Sequence, residues 1–326
     1  MQRGLRLFQL FGTDFHLHWS WILAGVFFLS LERPRPYDNG AWRAVELLGF
    51  FLLVLGHELG HLLALRAVKG EASSIVLWPL GGVHSVEIPA KPWPTICHAA
   101  GGPLANLLLA GLLLPFHEWG KRAGWEVEWP DLFQFLTMMT VLNFILLGVN
   151  LIPIYPLDGG QILRGFLWAF VGRWQSLVGV SLLGFLASIA MFVGSLAAMV
   201  IFAGRVESTS VFILTGVLAL FLSFRSLSEL QSARSFLAVE SLPRHGSFVC
   251  PGCRTHPPRG SFWVCDECGA RFDLFETRGK CPGCGAWYLS PSCPHCEEKA
   301  HIEAWSRSAN EGSSWSDSPD YSGHRK

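Results

Sequence analysis

The sequence predicts a polytopic α-helical membrane protein: about six transmembrane helices, a β-hairpin/re-entrant loop after helix 2, and a small C-terminal module built on cysteines. Three observations predict it. Hydrophobic residues make up 50% of the chain and charged residues only 15%, where a soluble domain carries about 25% charge. Apolar runs of near-spanning length recur along the first two thirds of the chain. Eight of the nine cysteines fall between Cys250 and Cys296, outside those runs. The formal net charge is +0, so the composition points to neither an acidic nor a basic partner.

The apolar runs are 15–31, 45–68, 94–115, 132–152, 176–203 and 209–224. The first follows Arg3 and Arg6 as a signal peptide would, but no small-residue cleavage site precedes its Leu31-Glu32-Arg33-Pro34 end, so a retained span is expected. Residues 71–89 place β-branched residues around Pro79 and Gly81-Gly82, the signature of a hairpin and not a span. After the fourth run the chain reads Asn150-Leu151-Ile152-Pro153-Ile154-Tyr155-Pro156-Leu157-Asp158-Gly159-Gly160. Its prolines must break the helix. Irregular backbone at membrane depth is tolerated only where protein buries it or it lines a cavity.

Six spans place both termini on one side. Arg66, Lys69, Lys91, Arg164 and Arg173 bias that side toward positive charge, which makes it cytoplasmic. Cysteines kept as Cys-x-x-Cys pairs suit the same reducing side. The expected organisation is a membrane domain over 1–225, a linker over 226–247, the cysteine module over 248–300 and a disordered tail over 301–326. The expected location is a bacterial or archaeal cell membrane.

The chemistry concentrates at Gly56-His57-Glu58-Leu59-Gly60-His61, inside the second run. Histidines at i and i+4 share one helix face, the spacing that binds zinc with the adjacent glutamate as general base. Ionisable residues inside a span are costly and mark function by default. Catalytic zinc takes three protein ligands, and Asp158, at the tip of the broken segment, is the best third. His16, His18, His84 and His98 suit structural or interfacial roles. Cys97 suits packing, and Trp19, Trp21, Trp93, Trp125 and Trp129 suit an aromatic belt.

Four marks together resemble the site-2 protease family of intramembrane zinc metalloproteases, in its compact prokaryotic branch. They are HELGH at 57–61, Pro79-Leu80-Gly81-Gly82, Gly102-Pro103-Leu104-Ala105-Asn106, and Asn150-x-x-Pro153-x-x-Pro156-Leu157-Asp158-Gly159, across roughly residues 10–225. The resemblance implies a protease that cuts the transmembrane segment of a single-span membrane protein. His57, His61 and Asp158 would bind the catalytic zinc, which activates water and polarises the scissile carbonyl. Glu58 would move the proton. Asn106 and Asn150 are candidates for substrate or oxyanion contacts, with interhelical hydrogen bonding as their alternative. Gly81 and Gly82 are candidates for pairing with an unwound substrate along a sheet edge, with a plain tight turn as theirs. Some members of that branch carry a CBS pair where this chain has cysteines, so regulation does not carry over.

Those cysteines form four Cys-x-x-Cys knuckles. Sequence order groups Cys250, Cys253, Cys265 and Cys268 in one set and Cys281, Cys284, Cys293 and Cys296 in another. This makes two tandem four-cysteine zinc ribbons, with interleaved pairing as the alternative. His295 is a bystander. Three zinc ions follow, one catalytic and two structural. From 250 to 300 acidic and basic residues balance, which argues against nucleic acid. Phe262, Trp263, Trp287 and Tyr288 would serve a small core or a protein-binding face. A competing class is a catalytically silent membrane scaffold recruiting partners through this zinc-ribbon module, but it would not need all four chemical groups of the site. An ion path would not need a base beside its ligands.

Overall fold

The computed structural model describes residues 4–30, 37–79, 81–202, 206–296 and 298–306. The chain divides into two compact units, Met1–Arg234 and Ser235–Lys326.

The first unit opens with a hairpin, β1 (Leu5–Leu10) and β2 (Thr13–Leu17). Its two-residue turn, Phe11-Gly12, has φ of 50° and 75°, the left-handed pair that matches strand twist. β2 runs parallel to β3 (Glu71–Trp78), which returns antiparallel as β4 (Gly81–Glu87). The sheet order β1-β2-β3-β4 leaves β4 as an edge. Phe15, Ile75 and Leu77 from this sheet pack on Leu62 and Leu65 of α2 (Ala41–Ala67).

Among the described residues five helices are long and apolar enough to span: α2, α3 (Pro92–Arg122), α5 (Pro130–Leu151), α7 (Arg173–Ile201) and α8 (Val206–Glu240), the last assessed from Val211. The first apolar run differs from the expected span. Its start is strand β2, and its described helix, α1 (Ser20–Ser30), has 11 residues, where about 20 cross a bilayer. Two short helices complete the unit, α4 (Trp125–Glu128) and α6 (Asp158–Val171).

Burial in this unit is inverted relative to a soluble protein. Ile22, Leu108, Leu112 and Val200 are exposed, while Glu46, His57, Glu58, His61, Asn106, Asn143, Asn150 and Asp158 are buried. Lipid solvates the first set and the bundle must satisfy the second. The protein is an integral membrane protein. α2 and α3 cross at bare backbone: a Cβ on Gly60 would strike the Gly101 carbonyl, and one on Gly101 the Gly60 carbonyl. Small residues let membrane helices approach this closely.

α5 ends at Leu151, and the chain runs irregularly to α6 through a cis Tyr155–Pro156 bond. Gly159 and Gly160 lie flat against this segment, and the Ser226 hydroxyl donates to the Tyr155 carbonyl (2.7 Å). These contacts hold the break and place Asp158 at the first turn of α6.

The second unit has a two-stranded sheet, β5 (Trp263–Val264) and β6 (Arg271–Phe272), around a core of Cys250, Cys265, Cys281, Cys293, Phe272, Leu274, Phe275, Ile302 and Trp305. Two sequence boundaries shift. Residues 226–240, expected as linker, continue α8. Residues 301–306, expected in the disordered tail, include a 3-10 turn, Ile302–Trp305, whose Trp305 is fully buried. The rest of that tail, 307–326, lies outside the described residues.

Candidate metal centres and the membrane-embedded site

HELGH sits midway along the C-terminal half of α2, and i, i+4 spacing sets the two imidazoles on one face. His57 Nε2 and His61 Nε2 are 3.1 Å apart. Asp158 Oδ2 lies 3.1 Å from the first and 3.2 Å from the second. Hydrogen bonding settles what these atoms carry. His61 Nδ1 lies 2.8 Å from the His98 carbonyl, which can only accept, so Nδ1 bears the proton and Nε2 a lone pair. The Gly102 N–H, at 3.3 Å from the same Nδ1, is the longer contact. His57 Nδ1 donates to Asn106 Oδ1 (2.5 Å), leaving Nε2 another lone pair.

Three buried acceptors therefore converge, and Asp158 Oδ2 receives no hydrogen bond of good geometry. One shared proton would join only two of them. A cation meets all three. A tetrahedral zinc with bonds of about 2.0–2.1 Å sets its ligands about 3.3–3.4 Å apart, close to the observed edges. Room is kept by Gly102: a Cβ there would stand 2.5 Å from His57 Cε1 and 2.6 Å from His57 Nε2. The donor set and its cradle fit zinc.

Glu58, on the same helix, is buried and faces the start of β4: a Cβ at Gly81 would lie 3.5 Å from Glu58 Oε1. Gly81 has φ of 137°, a conformation that favours glycine. Gly82 follows it in the strand, opposite Leu77.

Asn106 makes the interhelical hydrogen bonds that were its alternative: its Oδ1 accepts from His57 and one hydrogen of its Nδ2 goes to Asn143 Oδ1 (2.7 Å). Asn150 Nδ2 donates to the Leu146 carbonyl of its own helix (3.0 Å). Sequence reasoning missed Asn143 and gave His98 a structural or interfacial role without a link to the site. A lone amide in an apolar span was the available signal for Asn143. The His98 contact runs through its main-chain carbonyl, which no side-chain pattern reveals. The His98 side chain also points back, with Nδ1 3.2 Å from the His61 carbonyl.

The cysteines pair as nested and not tandem sets. Cys250, Cys253, Cys293 and Cys296 form an outer cluster; Cys265, Cys268, Cys281 and Cys284 form an inner one. The shortest Sγ–Sγ separations, 3.6 Å (Cys250–Cys296) and 3.4 Å (Cys265–Cys284), approach the edge of about 3.8 Å expected for Zn–S bonds of about 2.3 Å. The chain's return explains the nesting. Val249 N–H donates to the Trp305 carbonyl (2.6 Å) and Phe248 bridges Ser306, which brings the last knuckle beside the first. Three knuckles share one turn, with Arg254, Gly269 and Gly285 at positive φ directly after the second cysteine. In the inner cluster the Tyr288 hydroxyl donates to Cys265 Sγ (3.3 Å), and that bond brings the Cys265 thiol down to about 6.

The HELGH helix, completed by an aspartate from a broken segment and buried among membrane-spanning helices, makes a membrane-embedded centre able to hold zinc. The family model described as Peptidase family M50 matches residues 45–119 and 124–194. Over those residues the membrane unit is similar to that family. Zinc metalloprotease MJ0392 of Methanocaldococcus jannaschii is 31% identical over 168 residues, 51% of this chain and 46% of that protein. Stage IV sporulation protein FB of Bacillus subtilis is 31% identical over 154 residues, 45% and 46%. A solved structure, the site-2 protease from Methanocaldococcus jannaschii, covers 70% of this chain and 95% of that one at 25% identity and a TM-score of 0.49. The chain spans about half the length of the curated relatives it matches.

Proposed function

We propose that the protein is an intramembrane zinc endopeptidase that cuts within the transmembrane segment of single-span membrane proteins. The observation that carries this reading is the convergence of His57 Nε2, His61 Nε2 and Asp158 Oδ2 to within 3.2 Å of one another, with Glu58 adjacent. Zinc held by these three atoms would supply Lewis acidity, polarising the scissile carbonyl and easing ionisation of the attacking water. Glu58 takes the proton from that water and returns it to the leaving nitrogen. Asn106 and Asn150, each with a second amide N–H beyond the one used within the bundle, are the amide candidates for the developing oxyanion. A substrate helix has its carbonyls engaged, so it must unwind before cleavage. The β4 edge, beginning beside Glu58, would hold the extended stretch through main-chain hydrogen bonds.

The cysteine module, which follows the last span α8, is proposed to be cytoplasmic and cleavage to fall toward that face. The two cysteine clusters are proposed to hold structural zinc and to serve as a docking module for a protein partner. The test is co-expression with tagged single-span candidates, comparing wild type with Glu58→Gln. A fragment that forms only with intact Glu58 is expected. Zinc-loaded protein that yields no Glu58-dependent fragment with any substrate would favour the silent scaffold instead.

A further inference from the structure

His57 and His61 are held in their metal-binding tautomers by unequal means. His61 Nδ1 faces the His98 carbonyl, a backbone acceptor that cannot reverse its polarity. His57 Nδ1 faces the side-chain amide of Asn106. A primary amide has an acceptor end and a donor end of nearly equal shape. If Asn106 turned over, its N–H would face His57 Nδ1. The imidazole would then accept at Nδ1 and carry its proton on Nε2, where it could not bind metal.

The orientation of Asn106 is set one residue further out. Asn143 Nδ2 donates to the Asn106 main-chain carbonyl (3.0 Å), a group that can only accept. That contact fixes which end of Asn143 is which. Its Oδ1 must then accept from Asn106 Nδ2 (2.7 Å), and Asn106 Oδ1 is left for His57. Asn106 and Asn143 are both fully buried, so no solvent competes with the relay.

We propose that Asn143 is a positioning residue whose amide, read against the Asn106 backbone, locks His57 in the tautomer that binds metal. The inference rests on the zinc-site reading above, and metal retention tests it apart from proteolysis.

The experiment measures zinc bound to the full chain in detergent across chelator-buffered free zinc. The two cysteine clusters provide an internal measure of folding. Asn143→Leu is expected to weaken the membrane site about 10–100-fold, the usual cost of losing an outer partner of a metal-bound histidine, with cluster zinc unchanged. Asn106→Asp makes both ends of residue 106 acceptors, so orientation no longer matters. The Asn106→Asp/Asn143→Leu double variant should therefore bind within several-fold of Asn106→Asp alone. Asn143→Asp, a carboxyl that full burial keeps protonated, still donates to the Asn106 carbonyl and accepts from Asn106 Nδ2, and should bind within several-fold of wild type even if the leucine variant fails to fold. Equal loss from Asn143→Leu with either residue at 106 would assign Asn143 to packing and overturn the inference. A loss of tenfold or more in Asn143→Asp would overturn it too. Wild type that holds zinc only in its cysteine clusters would overturn the site reading itself.

Discussion

At Gly102 the space for a metal is kept by the absence of a single carbon. A Cβ there would stand within 2.6 Å of His57 ring atoms, too close for the imidazole to stay in place. Gly102→Ala is therefore expected to remove one zinc per chain and leave the cysteine-bound zinc, as metal analysis of the purified variant would show. Tyr288 allows a second prediction. Its hydroxyl bond holds the Cys265 thiol down at about 6. Protons compete with metal for a thiolate, so a depressed value keeps zinc bound to lower pH. Tyr288→Phe lets Cys265 rise, and acid titration followed by a zinc dye should show inner-cluster release at a higher pH than in wild type. The ligand-type residues were legible in the sequence because their chemistry is local: HELGH spacing and an aspartate in a broken segment. Asn143 and the paired amide of Asn106 were not, because a hydrogen-bond partner on another helix is a tertiary fact.

The crossing of α2 and α3 determines whether those side chains meet. Gly60 and Gly101 let each helix rest on the other's carbonyl, and this contact sets Gly102 beside the histidines. Gly101→Val should force the helices apart at a cost of about 1–3 kcal/mol, read as a lowered unfolding temperature together with loss of the membrane-site zinc. The long helices and the β3–β4 hairpin were legible because apolar length and turn residues are strong local signals. The first run was not. Its apolar residues Phe15 and Leu17 belong to a strand packed on or beside α2, and hydropathy does not distinguish a buried strand from the start of a span. Trp305 misled in the opposite direction. A tryptophan at the head of a polar tail reads as disorder, yet it fills the core of the second unit. Trp305→Ala removes a fully buried ring, a loss of about 3–5 kcal/mol in comparable cores. Outer-cluster zinc should become chelator-labile in that variant, as the bridge from Phe248 to Ser306 lies beside it.

For the whole molecule, if each of the three ligand groups holds one zinc as proposed, Asp158→Ala should lower the count from three to two while Cys250→Ser should spare the membrane site. Metal analysis of each variant against wild type checks both. Nesting has one more consequence, for the sequence of events as the second unit forms. The inner cluster closes a short loop, Cys268 to Cys281, 13 residues apart, whereas the outer closes Cys253 to Cys293, 40 apart. Chain entropy favours the shorter closure by about 1 kcal/mol, and once it has formed the longer one has less chain left to gather. The clusters thus fill like nested parentheses, the inner pair closing first, and a chelator should undo them in reverse.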